Sequence, residues 1–460
     1  MKYLIFIVCM ALYLLSVVFP AHLLQLAVST LCLLIVAMYL KSVGKTVTVI
    51  SSLFLIMGLA MLWSSNARWN DYLLSFGPML NLLCLFMVVP LLAYPIRLGN
   101  YAESIQEIIR KNVRNPKQLY FMTSGLSYFF SSFINLASLP MTYHAIKPSL
   151  ARYSVANEYR FMSRAITHGF SMPLLWTPVT PIVGIVIEMN GVSWASMLPY
   201  LIPLSLMGLT LDWLLATRQY HKHRKSAMFT EKETAAAIEV HAIQANRTSR
   251  LFHILIALIL FNLVVSIIEY RTSYSFLFIV TLLVIPVAFF WSLLLRQGKS
   301  FIKGMGEHFQ THVVKMSGQF VIFLSAGFFI SAMKFSNTDY LFNVGLLQIK
   351  DAIGVELFLV LLPIVPLVLA FMGLHPAVAV ALMAESLDPS SLQISSQLLT
   401  LSMLGGAVGA FLMGPFNATI GLMATIVEES PYKLSNWNAP FTMAYLGLLM
   451  AFILLLQVIF

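Results

Sequence analysis

Runs of about 17–25 apolar residues recur along the whole chain, separated by short polar or basic stretches, the spacing expected of helices that cross a membrane. We read crossing helices near residues 3–19, 21–40, 46–63, 73–94, 168–188, 194–216, 251–270, 273–295, 317–333, 398–427 and 440–459. Two stretches break the pattern. One is 118–146, whose second half, SSFINLASLPMTYHAI, carries serines, an asparagine, a threonine, a histidine and a proline inside an apolar frame. The other is 354–386, which contains LPIVPLVLAFMGLHPAVAVALMAES. The expected class is therefore an all-α polytopic membrane protein with about eleven crossing helices.

Composition supports that class. Hydrophobic residues make up 59% of the chain and charged residues 10%, against about 45–50% and 25% in soluble domains. The three cysteines, Cys9, Cys32 and Cys84, lie within apolar runs, and their spacing fits neither a metal site nor a disulfide framework. The first apolar run has no small-residue cleavage site and leads straight into the second, so we read it as a retained helix. The net charge of +10 belongs to cytoplasmic loops rather than to a nucleic-acid surface.

Charge also decides what 118–146 does. If it does not cross, 24 of the 28 Lys and Arg residues fall on one face, and only Arg68, Arg271, Lys334 and Lys350 fall on the other. If it crossed, the clusters at 147–164 and 217–250 would change sides, against the positive-inside rule. The stretch is thus expected to enter and leave by the cytoplasmic face as a re-entrant hairpin. Polar, non-helical backbone at that depth must be enclosed by protein or face a water-filled cavity. The amino terminus then lies in the cytoplasm and the carboxyl terminus outside, in the cell membrane.

The second stretch has basic-poor flanks, with Asp351 before it and Glu385 and Asp388 after it, so it is expected to enter from outside. The two halves share a register. Pro140 and Pro376 are 236 residues apart, while Pro178 and Pro415, and Gly184 and Gly421, are 237 apart; TPVTPIVG at 177–184 lies over GPFNATIG at 414–421. Such inverted repeats, with broken helices meeting near the midplane, characterise secondary transporters. The expected layout is an extra helix at 1–20, a first repeat at 21–216 with hairpin 118–146, a cytoplasmic linker at 217–250, and a second repeat at 251–460 with hairpin 354–386.

This layout resembles the divalent anion/sodium symporters and the wider ion transporter superfamily, over nearly the whole chain. In that family an interrupted helix follows each hairpin, and WTPVTP and GPFNAT occupy those places here. The resemblance implies a homodimer in which a transport domain moves like an elevator against a scaffold. The chain departs from the dicarboxylate carriers at the hairpin tips. Their Ser-Asn-Thr motif is reduced to Asn135 in INLAS, and MGLHP has no equivalent.

Broken helices offer N–H ends to an anion and free carbonyls to a hard cation. Candidate ligands are Ser131, Ser132, Asn135, Ser138 and Thr142 in the first hairpin, Thr177 and Thr180 at the first break, and Asn417 and Thr419 at the second. Asn135, Thr177 and Asn417 are the candidates for a sodium ion. A serine or threonine at such a place can equally bond its own helix backbone, and the asparagines are the costlier groups to bury idle. His375, inside the second hairpin, and His144, on the returning arm of the first, could bind an anion or carry a proton; His168 reads as interfacial. Glu188, Asp212, Glu356 and Glu385 all fall near expected segment ends, so no acidic residue reads as a midplane proton carrier, and sodium is the expected coupling ion. The expected function is cation-coupled transport of a small anion. The competing readings are a membrane-embedded enzyme or lipid-handling protein and a passive channel. No HExxH, GxSxG or Walker pattern is present. Expected partners are the anionic substrate and membrane lipid.

Overall fold

The computed structural model describes residues 2–99, 113–150, 153, 155–224 and 248–458. Every regular element among them is helical. Nine of these helices are long and apolar enough to cross a membrane, or ten if one bent pair counts as a single span. The all-α, multi-pass expectation holds, with nine or ten membrane-length helices among the described residues beside the eleven or so expected.

The first described helix is α1 (Lys2–Val18), which is shorter than the other spans. α2 (His22–Tyr39), α3 (Lys45–Ser64) and α4 (Leu80–Leu98) follow it. The 118–146 stretch forms two helices, α5 (Pro116–Ile134) and α6 (Ser138–Leu150), packed on each other across a turn at Asn135–Ala137. Asn115 caps α5 with its side chain, and the following Pro116 suits a first helical position. Asn135 takes a positive φ of 48°, a conformation that asparagine tolerates better than most residues. If the hairpin is re-entrant, cysteines replacing Asn115 and Ser149 should both react with a membrane-impermeant reagent from the cytoplasmic side. Labelling from opposite sides would remove this topology.

The segment expected at 168–188, interrupted at WTPVTP, is two helices. α7 (Glu158–Ser171) starts ten residues earlier than expected, capped by the Asn157 side chain, and α8 (Pro181–Asn190) follows a break that contains a short turn at Pro173–Leu175. α9 (Trp194–Arg224) runs past the expected end at 216. Most of the expected linker, 225–247, lies outside the described residues.

The second half of the chain follows. After α10 (Thr248–Arg271) and α11 (Phe276–Leu294) comes an amphipathic helix that the apolar pattern did not reveal, α12 (Gly298–Glu307), and then α13 (Ser317–Phe335). A further unexpected helix, α14 (Thr338–Ile353), turns by 115° into the second hairpin at Gly354. Gly354 has φ +84°, so the corner needs glycine. The hairpin comprises α15 (Val355–Leu361), α16 (Ile364–Phe371) and α17 (Pro376–Ser386), with its tip at Met372–His375. α18 (Ser396–Met413), a break at Gly414–Asn417, α19 (Ala418–Val427) and α20 (Pro431–Gln457) complete the chain.

The 237-residue spacing recurs in element boundaries. α4 and α13 begin at 80 and 317, α8 and α19 at 181 and 418, and α9 and α20 at 194 and 431. Packing follows the same pattern. α7 lies against α19 and α8 against α18, so the first half of each broken helix meets the second half of the other. The second halves also cross over: α19 packs on α6, the returning arm of the first hairpin, and α8 packs on α17, that of the second. Glycines make the closest contacts. A Cβ at Gly169 on α7 would lie 2.9 Å from Ser124 Cα in the first hairpin, and one at Gly406 on α18 would lie 2.6 Å from Pro363 Cα in the second. These two glycines are themselves 237 positions apart.

Candidate functional site

The first hairpin tip docks on the first break. Asn135 Nδ2 donates to the Val179 carbonyl at 3.3 Å, and the Thr177 hydroxyl donates to the carbonyl of Ser132, in the last turn of α5. Both residues expected at a ligand site therefore also join hairpin to break. Trp176 secures the same junction: its indole N–H donates to Tyr128 Oη at 3.2 Å, while its carbonyl accepts from the Trp194 indole at 2.7 Å. Ser131 and Ser132 bond back to the carbonyls of Tyr128 and Phe129, the ordinary role of a helical serine.

The second break is closed by amide groups. Asn417 accepts from Ile420 N at 2.8 Å through Oδ1, which caps α19, and donates through Nδ2 to the carbonyls of Ala410 and Phe411 at 2.8 and 3.1 Å. Asn438 Nδ2 covers the Leu412 carbonyl at 2.9 Å, and the Ser435 hydroxyl covers that of Met413. The carbonyls that end α18 thus have protein donors, and Asn417 spends its whole amide on holding the break.

A different group of the expected residues is left unpartnered. Ser138 and Thr142 on α6, Thr419 on α19 and Thr180 at the start of α8 are buried, and their hydroxyls have no hydrogen-bond partner. Ser163 on α7, which the sequence did not single out, is in the same condition. α6, α7 and α19 pack mutually, and Ser138, Thr142, Ser163 and Thr419 are distributed over these three helices, a hydroxyl-bearing three-helix junction. Buried polar groups are normally paired, and several unpaired ones on one junction are suited to a ligand that supplies hydrogen bonds. The equivalent crossing on the other side differs. α17, PAVAVALMAES, faces α8 with almost no polar side chains.

His375 is the N-cap of α17, its Nδ1 accepting from Ala377 N at 3.2 Å. Its ring sits among Phe323, Phe86 and Phe411 at centroid distances of 5.3, 6.1 and 6.2 Å. His144 is exposed beside Tyr143. Glu188 anchors the start of α11 through Leu277 N at 2.9 Å, and Glu385 pairs with the exposed Lys334 at 3.0 Å.

Two expectations are overturned. His168 is fully buried rather than interfacial, and Asp212 is fully buried rather than near a segment end. His168 Nδ1 and Asp212 Oδ1 are 2.7 Å apart, and the Tyr120 hydroxyl donates to the same Oδ1 at 2.8 Å. The error lay in helix boundaries. With α7 starting at Glu158, His168 stands ten residues along the helix, about 15 Å from its start. The start signal was legible in Asn157 followed by Glu158, a capping residue before an acidic first turn.

No family model matches the sequence, and no curated protein does either. Solved structures do resemble it. The Alcanivorax borkumensis YdaH transporter, described as having an unusual topology, superposes with a TM-score of 0.58 at 14% identity, covering 89% of this chain and 98% of that one. MtrF of Neisseria gonorrhoeae, described as illuminating a class of antimetabolite efflux pumps, superposes with a TM-score of 0.55 at 14% identity, covering 88% and 94%. The chain thus has a transporter fold of the multi-pass membrane class.

Proposed function

We propose that this protein is a cation-coupled secondary transporter for a small anion, working by alternating access. The observation that carries the reading is the set of buried, unpartnered hydroxyls on α6, α7 and α19, where a hairpin arm meets the second half of a broken helix. The start of α19 brings a helix amino-terminal end to that junction, a favourable place for negative charge. No lysine or arginine is needed to hold the anion, because helix ends and neutral hydroxyls share the task.

The 237-residue recurrence and the crossed packing support two inverted repeats, 21–216 and 251–460, with an additional amino-terminal helix at 1–20. Hairpins and broken helices together would form the moving body, in an elevator-type motion, and we place the protein as a homodimer in the cell membrane. The gonococcal neighbour is described as an antimetabolite efflux pump, which favours an organic over an inorganic anion. The sequence-based choice of sodium rested on the lack of a clear midplane carboxylate and on the oxygens at the breaks, and the buried Asp212 weakens the first of these grounds. Sodium remains an arm of the test.

Uphill movement separates a carrier from a channel. Purified protein in liposomes should concentrate a radiolabelled organic anion above its equilibrium level when a sodium or proton gradient is imposed. Flux that only dissipates the anion's own gradient would replace this reading with a passive channel.

A further inference from the structure

The buried pair of His168 and Asp212 has no role in the hydroxyl junction, yet its ionisable atoms lie 2.7 Å apart in the described core. Asp212 Oδ1 accepts from Tyr120 Oη at 2.8 Å and lies 2.7 Å from His168 Nδ1. On the other edge of the ring, His168 Nε2 lies 3.2 Å from Asn438 Oδ1. The Asn438 amide cannot turn over without loss. Its Nδ2 donates to the Leu412 carbonyl at 2.9 Å, and reversal would set two oxygens against each other.

Both ring nitrogens of His168 therefore face acceptors. A hydrogen on Nε2 together with a proton shared between Nδ1 and Asp212 Oδ1 satisfies both, and the Tyr120 hydroxyl also lies 3.3 Å from Nδ1. In that form the pair carries no net charge, whether written as imidazolium and carboxylate or as imidazole and carboxylic acid. Without the second proton, Nε2 points a lone pair at Asn438 Oδ1, and the pair keeps a net negative charge in the core, which is costly to bury. Asp212 Oδ2 is also buried without a partner, so it offers a second seat for a proton.

The surroundings leave few other groups to take part. On α5 the ionisable neighbour is Tyr120 itself. On α7 it is Arg164, one turn before His168 and 7% exposed, whose positive charge acts on the ring. From α20 come Asn438, Phe441, stacked on the ring at 4.2 Å, and Tyr445, bonded to the Gly405 carbonyl at 3.3 Å. On α6, Tyr143 is taken up by Lys147 at 5.2 Å, and His144 and Lys147 are exposed. α18, α19 and the turn at 173–175 contain no ionisable side chain.

We propose that His168 and Asp212 form the proton site that couples transport to a proton gradient, with Tyr120 and Asn438 as positioning residues. This rests on the carrier reading above and names its cation. The proton arrives from one aqueous side and leaves to the other as H+, with no other bond changed. The site is placed to transmit its state. It joins the hairpin arm α5, the broken-helix half α7 and the long helices α9 and α20, and α7 also contributes Ser163 to the hydroxyl junction. Loss of the proton leaves a buried charge that loosens the contact of α7 with α20, and a moving body can relieve that strain by exposing the pair to water.

Infrared difference spectra of the purified full-length protein between about pH 5 and 9 test the site without a substrate. Wild type should show an imidazole change that disappears in His168→Gln, and a carboxyl change that disappears in Asp212→Asn. A wild type with neither change overturns the proposal. Should those variants fail to fold, Tyr120→Phe keeps the ring and removes one donor to Oδ1. It should move the midpoint of the change at least threefold in proton concentration, and an unmoved midpoint counts against the proposal. In liposomes, accumulation driven by a proton gradient should fall at least tenfold in His168→Gln, while accumulation driven by sodium alone would overturn the coupling role. Absence of uphill flux under every gradient would sink the carrier reading, and the spectra alone then decide the proton site.

Discussion

Gly169→Ala and Gly406→Ala should each clearly lower the melting temperature of the protein, although each adds a single methyl group. At both positions the new Cβ would meet backbone, Ser124 in one hairpin and Pro363 in the other, at distances that real Cβ atoms do not show. Backbone cannot rotate aside as a side chain can, so a helix or a hairpin arm must shift. Overpacking of that kind costs about 1–3 kcal/mol or more, against a total stability of about 5–15 kcal/mol for a typical protein. Gly421→Ala is the matched control. It is also a helical glycine, but a Cβ there meets nothing within 4 Å, and it should be neutral or stabilising by up to about 1 kcal/mol. Size-exclusion profiles and melting temperatures in detergent check all three. Equal behaviour of Gly169→Ala and Gly421→Ala would show that the α5–α7 contact is looser than described.

Removing the unpartnered hydroxyls should have the opposite signature, with the fold spared and transport lost. Ser138→Ala, Thr142→Val and Thr419→Val delete no hydrogen bond within the protein. Each also removes a buried polar group that has no internal partner, so stability should stay within about 1 kcal/mol of wild type or rise. Anion accumulation should nonetheless fall at least tenfold in each, the equivalent of losing a hydrogen bond worth about 1.4 kcal/mol or more. Asn417→Ala is the contrast. It uncaps α19 and frees the carbonyls of Ala410 and Phe411, so it should destabilise by about 1–3 kcal/mol. Loss of transport in that variant alone would therefore say little about ligand binding.

The architecture was legible because apolar run length and basic loops are strong, additive signals. The breaks were legible for the same kind of reason, since Pro and Asn interrupt otherwise continuous runs at TPVTP and GPFNAT. What failed was position along a helix. Run length locates the apolar part of a helix and not its ends, and α7 begins in polar sequence, NEYR, that contributes nothing to an apolar count. His168 was placed at a surface for that reason, and Asp212 by the same error at the far end of α9. α14 escaped because Asp339, Asn343, Lys350 and Asp351 dilute its apolar residues. The partners of Asn417 and Thr177 could not be read at all. Whether a polar group is satisfied depends on carbonyls brought close by the fold, and the hydroxyls that carry the site are distinguished from Ser131 and Ser132 only by that.

The account places an anion on the junction of α6, α7 and α19, and ligand-induced stabilisation tests this most directly. Melting temperatures of the purified protein would be measured against a panel of small aliphatic and aromatic carboxylates, with phosphate included. A ligand present at a hundred times its dissociation constant stabilises by about 2.7 kcal/mol, a clear upward shift. At least one anion should raise the wild-type melting temperature and leave that of the combined Ser138→Ala, Thr142→Val and Thr419→Val variant unmoved, with the two proteins melting alike in its absence. An equal shift in both would contradict the account and place the anion elsewhere.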